Sequence, residues 1–295
     1  MTGATDFQIS FDDGMAESDR RDAERSVAAL VEHSLAYSAR ERAAEAELAE
    51  LSDALAAPFT RLVREDPDAV RAAERLGARD VLRLRETDAL REDGASYFPP
   101  HERANVRSVG FVPPYDFSWS WHEDGGFPPH SQILNRATGE VGLDGRSGSL
   151  PDGVAGRVGA HAGFGVVLPT TNPGQKFPHA VLNPGRFVFT LKAVGIGGNA
   201  TSEGGFELTV FEDGHFLVGA NAQLWRSRIS AGEESRGGDG PRPMAGPELQ
   251  FTMVPGRSYV FNAGIWVVSD RSPGIGAAAA QSLLQGTVTR MWMFG

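Results

Sequence analysis

The strongest constraint on the fold comes from residues 186–225, where apolar and polar side chains alternate with the period of two that a β-strand imposes. Three runs alternate in this way, and their apolar faces are Phe187, Phe189, Leu191 and Ala193; Phe206, Leu208 and Val210; and Phe216, Val218, Ala220, Ala222 and Leu224. Asp213-Gly214 predicts a two-residue type I′ hairpin between the second and third runs, because both central positions of that turn need positive φ. The glycines between 195 and 205 predict a broader turn between the first two. The segment therefore predicts a three-stranded antiparallel meander, whose second strand has one buried and one solvated face.

The rest of residues 105–295 supplies strands that can cover this meander with a second sheet. We predict strands within 106–112, 116–122, 131–135, 140–143, 157–168, 248–254, 258–268 and 287–294. Composition predicts a short helix at 277–284, a long surface loop at 170–184 and a mobile polar segment at 230–247. About ten strands at these spacings are typical of an antiparallel β-sandwich or jelly roll.

The first 94 residues differ in composition, because glycine is sparse there and Ala, Glu, Arg and Leu dominate. We divide the chain into an extended arm at 1–14, a helical segment at 15–94, a linker at 95–104 and a β domain at 105–295. Pro58 should kink or restart the first helix, and Asp66-Pro67 should begin a second helix with Asp66 as its N-cap. The predicted fold class is α+β, an N-terminal helical hairpin followed by an antiparallel, jelly-roll-like β-sandwich.

A heptad pattern runs through the first predicted helix. The first seam position holds Val27, Ser34, Glu41, Leu48, Leu55 and Leu62. The second holds Leu30, Tyr37, Ala44, Leu51 and Pro58. Because Ser34 and Glu41 interrupt the apolar seam, a helix packed in a hairpin or small bundle fits better than an unbroken two-stranded coiled coil. The helices could pack on themselves or on the β domain, or they could form an oligomerisation stalk.

Composition excludes several classes of protein. The chain has no cysteine, so disulfides and thiolate metal sites are ruled out. Residues 1–104 carry 23 acidic and 14 basic side chains, and the whole chain has a net charge of −10, so no basic face favours nucleic acid. The sequence shows neither a signal peptide nor an apolar run of the roughly 18 residues that a membrane helix needs. We expect a soluble protein without a membrane span, either cytoplasmic or released without a cleaved signal peptide.

The segment 116–122 carries a row of aromatic side chains, because Phe117, Trp119 and Trp121 share one face of the predicted strand. Such a row can serve as a stacking platform for a sugar, with the loop at 170–184 nearby, or as core packing between two sheets. The candidate ligand-binding residues of this region are Trp119, Trp121, His122, Asp124 and His130.

One set of residues resembles the ligands of a divalent metal ion, as in the jelly rolls of cupins. Its members are His122, Glu123, Asp124, His130 and His161. The set has no His-x-His spacing and runs into a Gly-Pro turn, so we predict neither a metal nor a cofactor. The Gly-x-Gly-x-x-Ala of residues 195–200 precedes a predicted strand rather than a helix, which argues against a dinucleotide site. No Gly-x-Ser-x-Gly nucleophile motif occurs.

The sequence thus favours a non-enzymatic structural or recognition protein with a β-sandwich body and a helical assembly segment. Its expected partners are further copies of the chain, or another protein, bound through the N-terminal helices. The first alternative is a carbohydrate-binding module that uses the aromatic strand face. A second is a cupin-like metal-dependent enzyme, and a membrane-inserting β protein has only the alternating strands in its favour.

Overall fold

A computed structural model describes residues 7–77, 108–123, 131–148, 156–168, 173–196, 198–239, 244–245, 249–272 and 275–295. The N-terminal elements are β1 (Phe7–Phe11), α1 (Glu17–Glu65) and α2 (Pro67–Gly77). The later strands are β2 (Ser108–Phe111), β3 (Phe117–Glu123), β4 (Ser131–Asn135), β5 (Glu140–Ser147), β6 (Gly156–Leu168), β7 (Gly174–Ile196), β8 (Asn199–Glu212), β9 (His215–Ile229), β10 (Gly232–Asp239), β11 (Met244–Ala245), β12 (Phe251–Met253), β13 (Tyr259–Ser272) and β14 (Ile275–Phe294).

The strands form two antiparallel sheets that pack face to face. The six-stranded sheet has the order β1-β3-β6-β13-β8-β9. The eight-stranded sheet has the order β10-β7-β14-β5-β4, with β2 beside β14 and with β11 and β12 beside β7. The predicted α+β class, an antiparallel β-sandwich preceded by a helical region, is therefore confirmed.

The main core lies between the two sheets. Phe164, Phe206 and Phe261 enter it from the six-stranded sheet, and Leu191 and Leu284 enter it from the eight-stranded sheet, each without exposed surface. Burying a side chain of this size stabilises the fold by about 1.5–3 kcal/mol. With no cysteine in the chain, this packing is the principal source of stability.

The first part of α1 forms a third layer on the outer face of the six-stranded sheet. Val27 and Leu30 are buried there against Phe117 and Trp119. The sequence predicts a solvated face for the second strand of the meander, and this prediction is wrong because of the helical layer. Glu207 on β8 is only 4% exposed, because α1 covers the sheet where the alternation alone indicated water.

Within the predicted extended arm, Phe7–Phe11 form β1, an edge strand of the six-stranded sheet. β1 pairs antiparallel with β3, from Phe7 opposite Trp121 to Phe11 opposite Phe117. Arg20 of α1 then fixes the turn between arm and helix, because its guanidinium donates hydrogen bonds to the Asp12, Asp13 and Met15 carbonyl oxygens.

The two helices agree with most of their sequence signals. α1 runs through Pro58 without restarting, so of the predicted kink or restart at that residue the restart is wrong. Asp66 caps α2 as predicted, since its Oδ1 accepts hydrogen bonds from the backbone N–H groups of Asp68 at 2.8 Å and Ala69 at 3.2 Å. The described part of α2 lies beside β14. The rest of the predicted helical segment and the 95–104 linker lie outside the described residues. No helix in the described ranges is long and apolar enough to cross a membrane.

The predicted meander is half right. β8 and β9 form the hairpin expected at Asp213-Gly214, with φ of 50° and 81° at these two residues. The first strand predicted for the meander corresponds to β7. It does not belong to the meander, because it pairs with β10 and β14 in the opposite sheet. The predicted broad turn at 195–205 is also wrong, since β8 begins at Asn199. Gly205 lies inside that strand, where a Cβ would come within 2.7 Å of the Trp266 ring.

The helix predicted at 277–284 is wrong, because these residues belong to β14. Alanine favours helices in isolation, but β14 is hydrogen-bonded on both sides, to β7 and to β5. Ala277, Ala278, Ala279 and Ala280 are all buried, so their small side chains fit close packing on both faces of this strand. Tertiary pairing therefore overrides the local preference.

Two predicted loops are also strands. β7 begins at Gly174, inside the surface loop predicted at 170–184, and Pro184 is accommodated at a register shift opposite Gly286. β10 occupies much of the polar segment predicted to be mobile at 230–247. There Glu233 lies opposite Lys192 of β7, and their side chains form an ion pair at 3.4 Å.

Candidate functional site

The aromatic row of β3 faces α1 and not the opposite sheet. Trp119 has no exposed surface and Trp121 is 4% exposed. Glycines on the neighbouring strands make room for the rings: a Cβ at Gly163 of β6 would lie 2.8 Å from Trp119 Cζ2, and one at Gly264 of β13 would lie 2.7 Å from the same atom. These two glycines therefore allow the close approach of the indole ring to both strands.

The structure separates the predicted ligand-binding residues from one another. Trp119 and Trp121 are covered by α1, whereas His122 is half-buried on the other face of β3. Asp124 and His130 lie outside the described residues. A sugar could stack on the two indole rings only if α1 left the sheet, so the carbohydrate hypothesis stays a prediction with this requirement attached.

A histidine and a glutamate that sequence reasoning did not connect meet beneath the helix. His161 Nδ1 lies 2.9 Å from Glu207 Oε1, and both side chains are largely buried. The Trp121 ring stacks on the His161 ring with centroids 4.1 Å apart. The two residues lie on β6 and β8, which flank β13, and they meet across it close to Gly264, which carries no side chain. The pair is part of the packing between helix and sheet.

A second polar cluster attaches α1 to the end of β3; we call it the Glu123 clamp, formed by Ser38, Arg42, Glu123 and Arg157. The Ser38 hydroxyl lies 2.9 Å from each Glu123 carboxylate oxygen, to which it donates. Arg42 Nη2 lies 3.0 Å and Arg157 Nε 3.5 Å from the same carboxylate. The Glu123 side chain is only 8% exposed, so its charge depends on these partners. The clamp thus holds α1 against the sheet as far as Arg42.

The described residues do not bring together the candidate metal ligands named from the sequence. In the described ranges, no three His, Cys, Asp or Glu side chains converge to hold an ion. Glu123 is engaged in the clamp and His161 is paired with Glu207.

Buried serines form a further cluster between the two sheets. The Ser282 hydroxyl of β14 lies 2.6 Å from that of Ser202 and 2.7 Å from that of Ser269. Trp225 Nε1 donates a hydrogen bond to Ser202 Oγ at 2.9 Å. None of the three serines has exposed surface. Their hydroxyls bond to one another and to backbone oxygens, which ties the sheets together and leaves them inaccessible to a substrate.

The distal part of α1 presents the opposite situation, a row of large apolar side chains in solvent. Leu51, Leu55, Phe59 and Leu62 are 60%, 80%, 64% and 62% exposed. Their spacing of four, four and three residues places them along one side of the helix, and we call this set the distal stripe. In contrast, Val27 and Leu30, on the same heptad seam, are fully covered by the sheet. The distal stripe is thus a row of large apolar side chains that the described residues leave exposed.

Comparisons with known proteins suggest no function for the chain, so its function is inferred from the geometry described above. No protein-family model matches the chain, and no curated protein matches it significantly.

Proposed function

We propose that this chain is a non-enzymatic structural protein that assembles with further copies of itself through the distal stripe. The observation that carries the proposal is the exposure of Leu51, Leu55, Phe59 and Leu62 on one side of α1. The β-sandwich is the body of such a building block, and α1 is its connector.

The size of the apolar surface supports association. Two copies of the distal stripe present eight large side chains, and each is worth up to about 1.5–3 kcal/mol when fully buried. Their sum is comparable to the roughly 4–15 kcal/mol that association costs. Burial of the stripe against a second copy can therefore offset the cost of association.

The attachment of α1 to the body supports a structural role. The Glu123 clamp fixes the helix near Ser38 and Arg42, and α2 lies beside β14 after the helix has ended. Because α1 is held before and after the distal stripe, contacts made by the stripe would position whole bodies relative to one another. A helix held in this way would fix the orientation of two bodies relative to each other as well as join them.

The test is the molar mass in solution of the full chain and of two matched variants, measured by light scattering after size-exclusion chromatography. Leu55→Glu places a charge in the distal stripe and should shift the protein toward its monomer mass of 31.5 kDa. A loss of about 2–4 kcal/mol, or roughly 30–1,000-fold in affinity, is expected for a central contact.

Ala57→Glu is the control, because this exposed residue lies about 200° around the helix from Leu55. It introduces the same side chain into the same helix and should leave the mass unchanged. Equal behaviour of all three proteins would contradict assembly through the distal stripe.

A further inference from the structure

An arginine on the outer face of the eight-stranded sheet is held in a defined position. Met291 and Met293 of β14 belong to the core between the sheets, so the alternation of the strand places Arg290 and Trp292 on the outer face. A Cβ on Gly110 of β2 would lie 2.9 Å from Arg290 Nη2 and 3.2 Å from its Nε, so the guanidinium lies over this glycine. Arg290 Cζ is also 5.8 Å from the centre of the Trp292 ring. The glycine and the indole together fix the position of the cation.

This guanidinium lacks a counter-charge in the part of the chain that the structure describes. There, Arg290 Nε has no hydrogen-bond partner and no carboxylate forms an ion pair with the side chain. Other arginines of the same sheet are paired. Arg146 lies 2.8 Å from Asp144, and Arg236 lies 3.2 Å from Glu234. Arg290 is half-buried, so its unpaired charge is only partly stabilised by water.

A second donor without an acceptor lies beside the guanidinium. Trp292 is only 5% exposed, and among the described residues its Nε1 has no hydrogen-bond partner. A buried indole N–H usually finds an acceptor, because leaving it unpaired costs free energy. Since the guanidinium carbon lies 5.8 Å from the centre of the ring, one small group with acceptor oxygens can serve both donors.

We propose that Arg290 and Trp292 bind the carboxylate group of a small molecule with an apolar body. This binding site goes beyond the proposed function, because it lies on the eight-stranded sheet and contains no residue of the distal stripe. The planar guanidinium matches the two oxygens of a carboxylate, and its single charge matches a monoanion better than a phosphate dianion.

The neighbours of the guanidinium favour an apolar body for this ligand. Val112 follows β2 and is 59% exposed, and Phe294 lies two residues after Trp292 and is half-buried. Gly110 lies opposite Trp292 in the pairing of β2 with β14, so Val112 and Phe294 flank the guanidinium on its two sides along the strands. Neither residue offers a second positive charge.

Benzoate is the probe, because it joins a carboxylate to an apolar ring, and benzamide is its uncharged counterpart. NMR of isotopically labelled full chain gives one indole N–H signal for each of the five tryptophans, and Trp292→Phe identifies the signal of Trp292. Benzoate should move this signal downfield in a saturable way, with a Kd on the order of 1 mM for a ligand of this size. Benzamide should leave the signal in place.

Two variants test how the carboxylate is held. Arg290→Lys keeps the charge but removes the planar fork, and Gly110→Ala puts a methyl group where the guanidinium lies. Each should weaken benzoate binding by about tenfold or more, the effect of losing a hydrogen bond to a charged group. Arg236→Lys is the control, because this exposed residue of β10 belongs to the same sheet and already has a partner. The four other indole signals report whether each variant is folded.

The outcomes decide the proposal. A saturable benzoate shift that is weakened in Arg290→Lys and Gly110→Ala, and retained in Arg236→Lys, supports the site. Inorganic phosphate is titrated in parallel, and tighter binding of phosphate than of benzoate overturns the carboxylate as ligand. The absence of a shift, an equal response to benzamide, or unchanged affinity in Arg290→Lys overturns the site. None of these results changes the molar mass of the chain, which tests the proposed function separately.

Discussion

Trp119 lies directly over Gly163, where a Cβ on the glycine would come within 2.8 Å of the indole Cζ2 atom. The ring occupies the space that a side chain on β6 would take, and it is sealed by α1. This relationship explains how one large aromatic row can be buried beneath a helix on the outer face of a sheet.

Gly163→Ala should destabilise the protein by about 1–3 kcal/mol, the usual effect of forcing a methyl group into a packed site. Gly145→Ala is the matched control, because a Cβ there would meet Val267 Cγ2 at 3.4 Å, an ordinary contact. Urea unfolding of both variants measures the free energies. Equal stability of the two variants would show that the space beside Gly163, enclosed by the Ala263 carbonyl oxygen, Gly264 Cα and the Trp119 ring, is not closely packed.

Glu123→Gln should loosen α1 from the sheet. The buried carboxylate is the shared partner of Ser38, Arg42 and Arg157, and its neutral replacement removes the negative charge that the two arginines share, while Glu41 stays 3.7 Å from Arg157. Removing one member of a largely buried ion pair costs about 3–5 kcal/mol at most, and less here because Arg42 is half exposed.

Hydrogen exchange locates that effect. Exchange should accelerate in residues 17–42 of α1 in Glu123→Gln, while Glu47→Gln, at an exposed position, should leave it unchanged. Unaltered protection of α1 in both variants would mean that the clamp does not hold the helix.

Asp116 gives the stability a defined pH dependence. Burial raises the pKa of its carboxyl above the ordinary 3.8, Asp12 and Asp19 add to the rise, and the hydrogen bond from Val167 N–H opposes it. Since the folded protein binds this proton more tightly than the unfolded chain, the stabilising contribution is full below pH 3.8 and is lost as the pH rises through the raised pKa. Asp116→Asn keeps an acceptor oxygen without the charge, so it should be more stable than the unmodified protein at pH 7. The difference should close as the pH falls toward 3.8.

Asp213→Asn is the control of opposite sign. Hydrogen bonds from the Ser258 backbone N–H and from Arg257 lower the pKa of the Asp213 carboxyl, so its stabilisation is present above pH 3.8 and is lost on acidification. The variant should be slightly less stable at pH 7, and asparagine tolerates the positive φ of 50° at this position. Denaturant titrations at pH 4 and pH 7 measure both variants, and a difference for Asp116→Asn that does not vary with pH would refute the linkage.

Local rules predicted the parts of the fold that are decided locally. The Asp66 cap, the Asp213-Gly214 turn and the extended arm each depend on a few neighbouring residues. The alanine-rich part of β14 and the first, proline-containing part of β7 differ from the prediction, because these strands depend on partners distant in sequence. The placement of β7 in the second sheet is likewise a matter of long-range pairing.

The heptad pattern of the sequence contains Leu51, Leu55 and Leu62 of the distal stripe. The interruption of the seam at Glu41 coincides with the end of the helix's contact with the body, where Glu41 reaches Arg157 at 3.7 Å. Before it, the seam residues Val27 and Leu30 meet the sheet; after it, Leu51 and Leu55 face solvent. The sequence alone did not distinguish these two halves, because burial by a sheet leaves the same apolar spacing as an exposed stripe.

The molar mass of the full chain as a function of concentration, measured by sedimentation equilibrium, tests self-assembly most directly. The account predicts a rise from 31.5 kDa toward twice that value as concentration increases. A mass that stays at 31.5 kDa up to high micromolar concentration would contradict it.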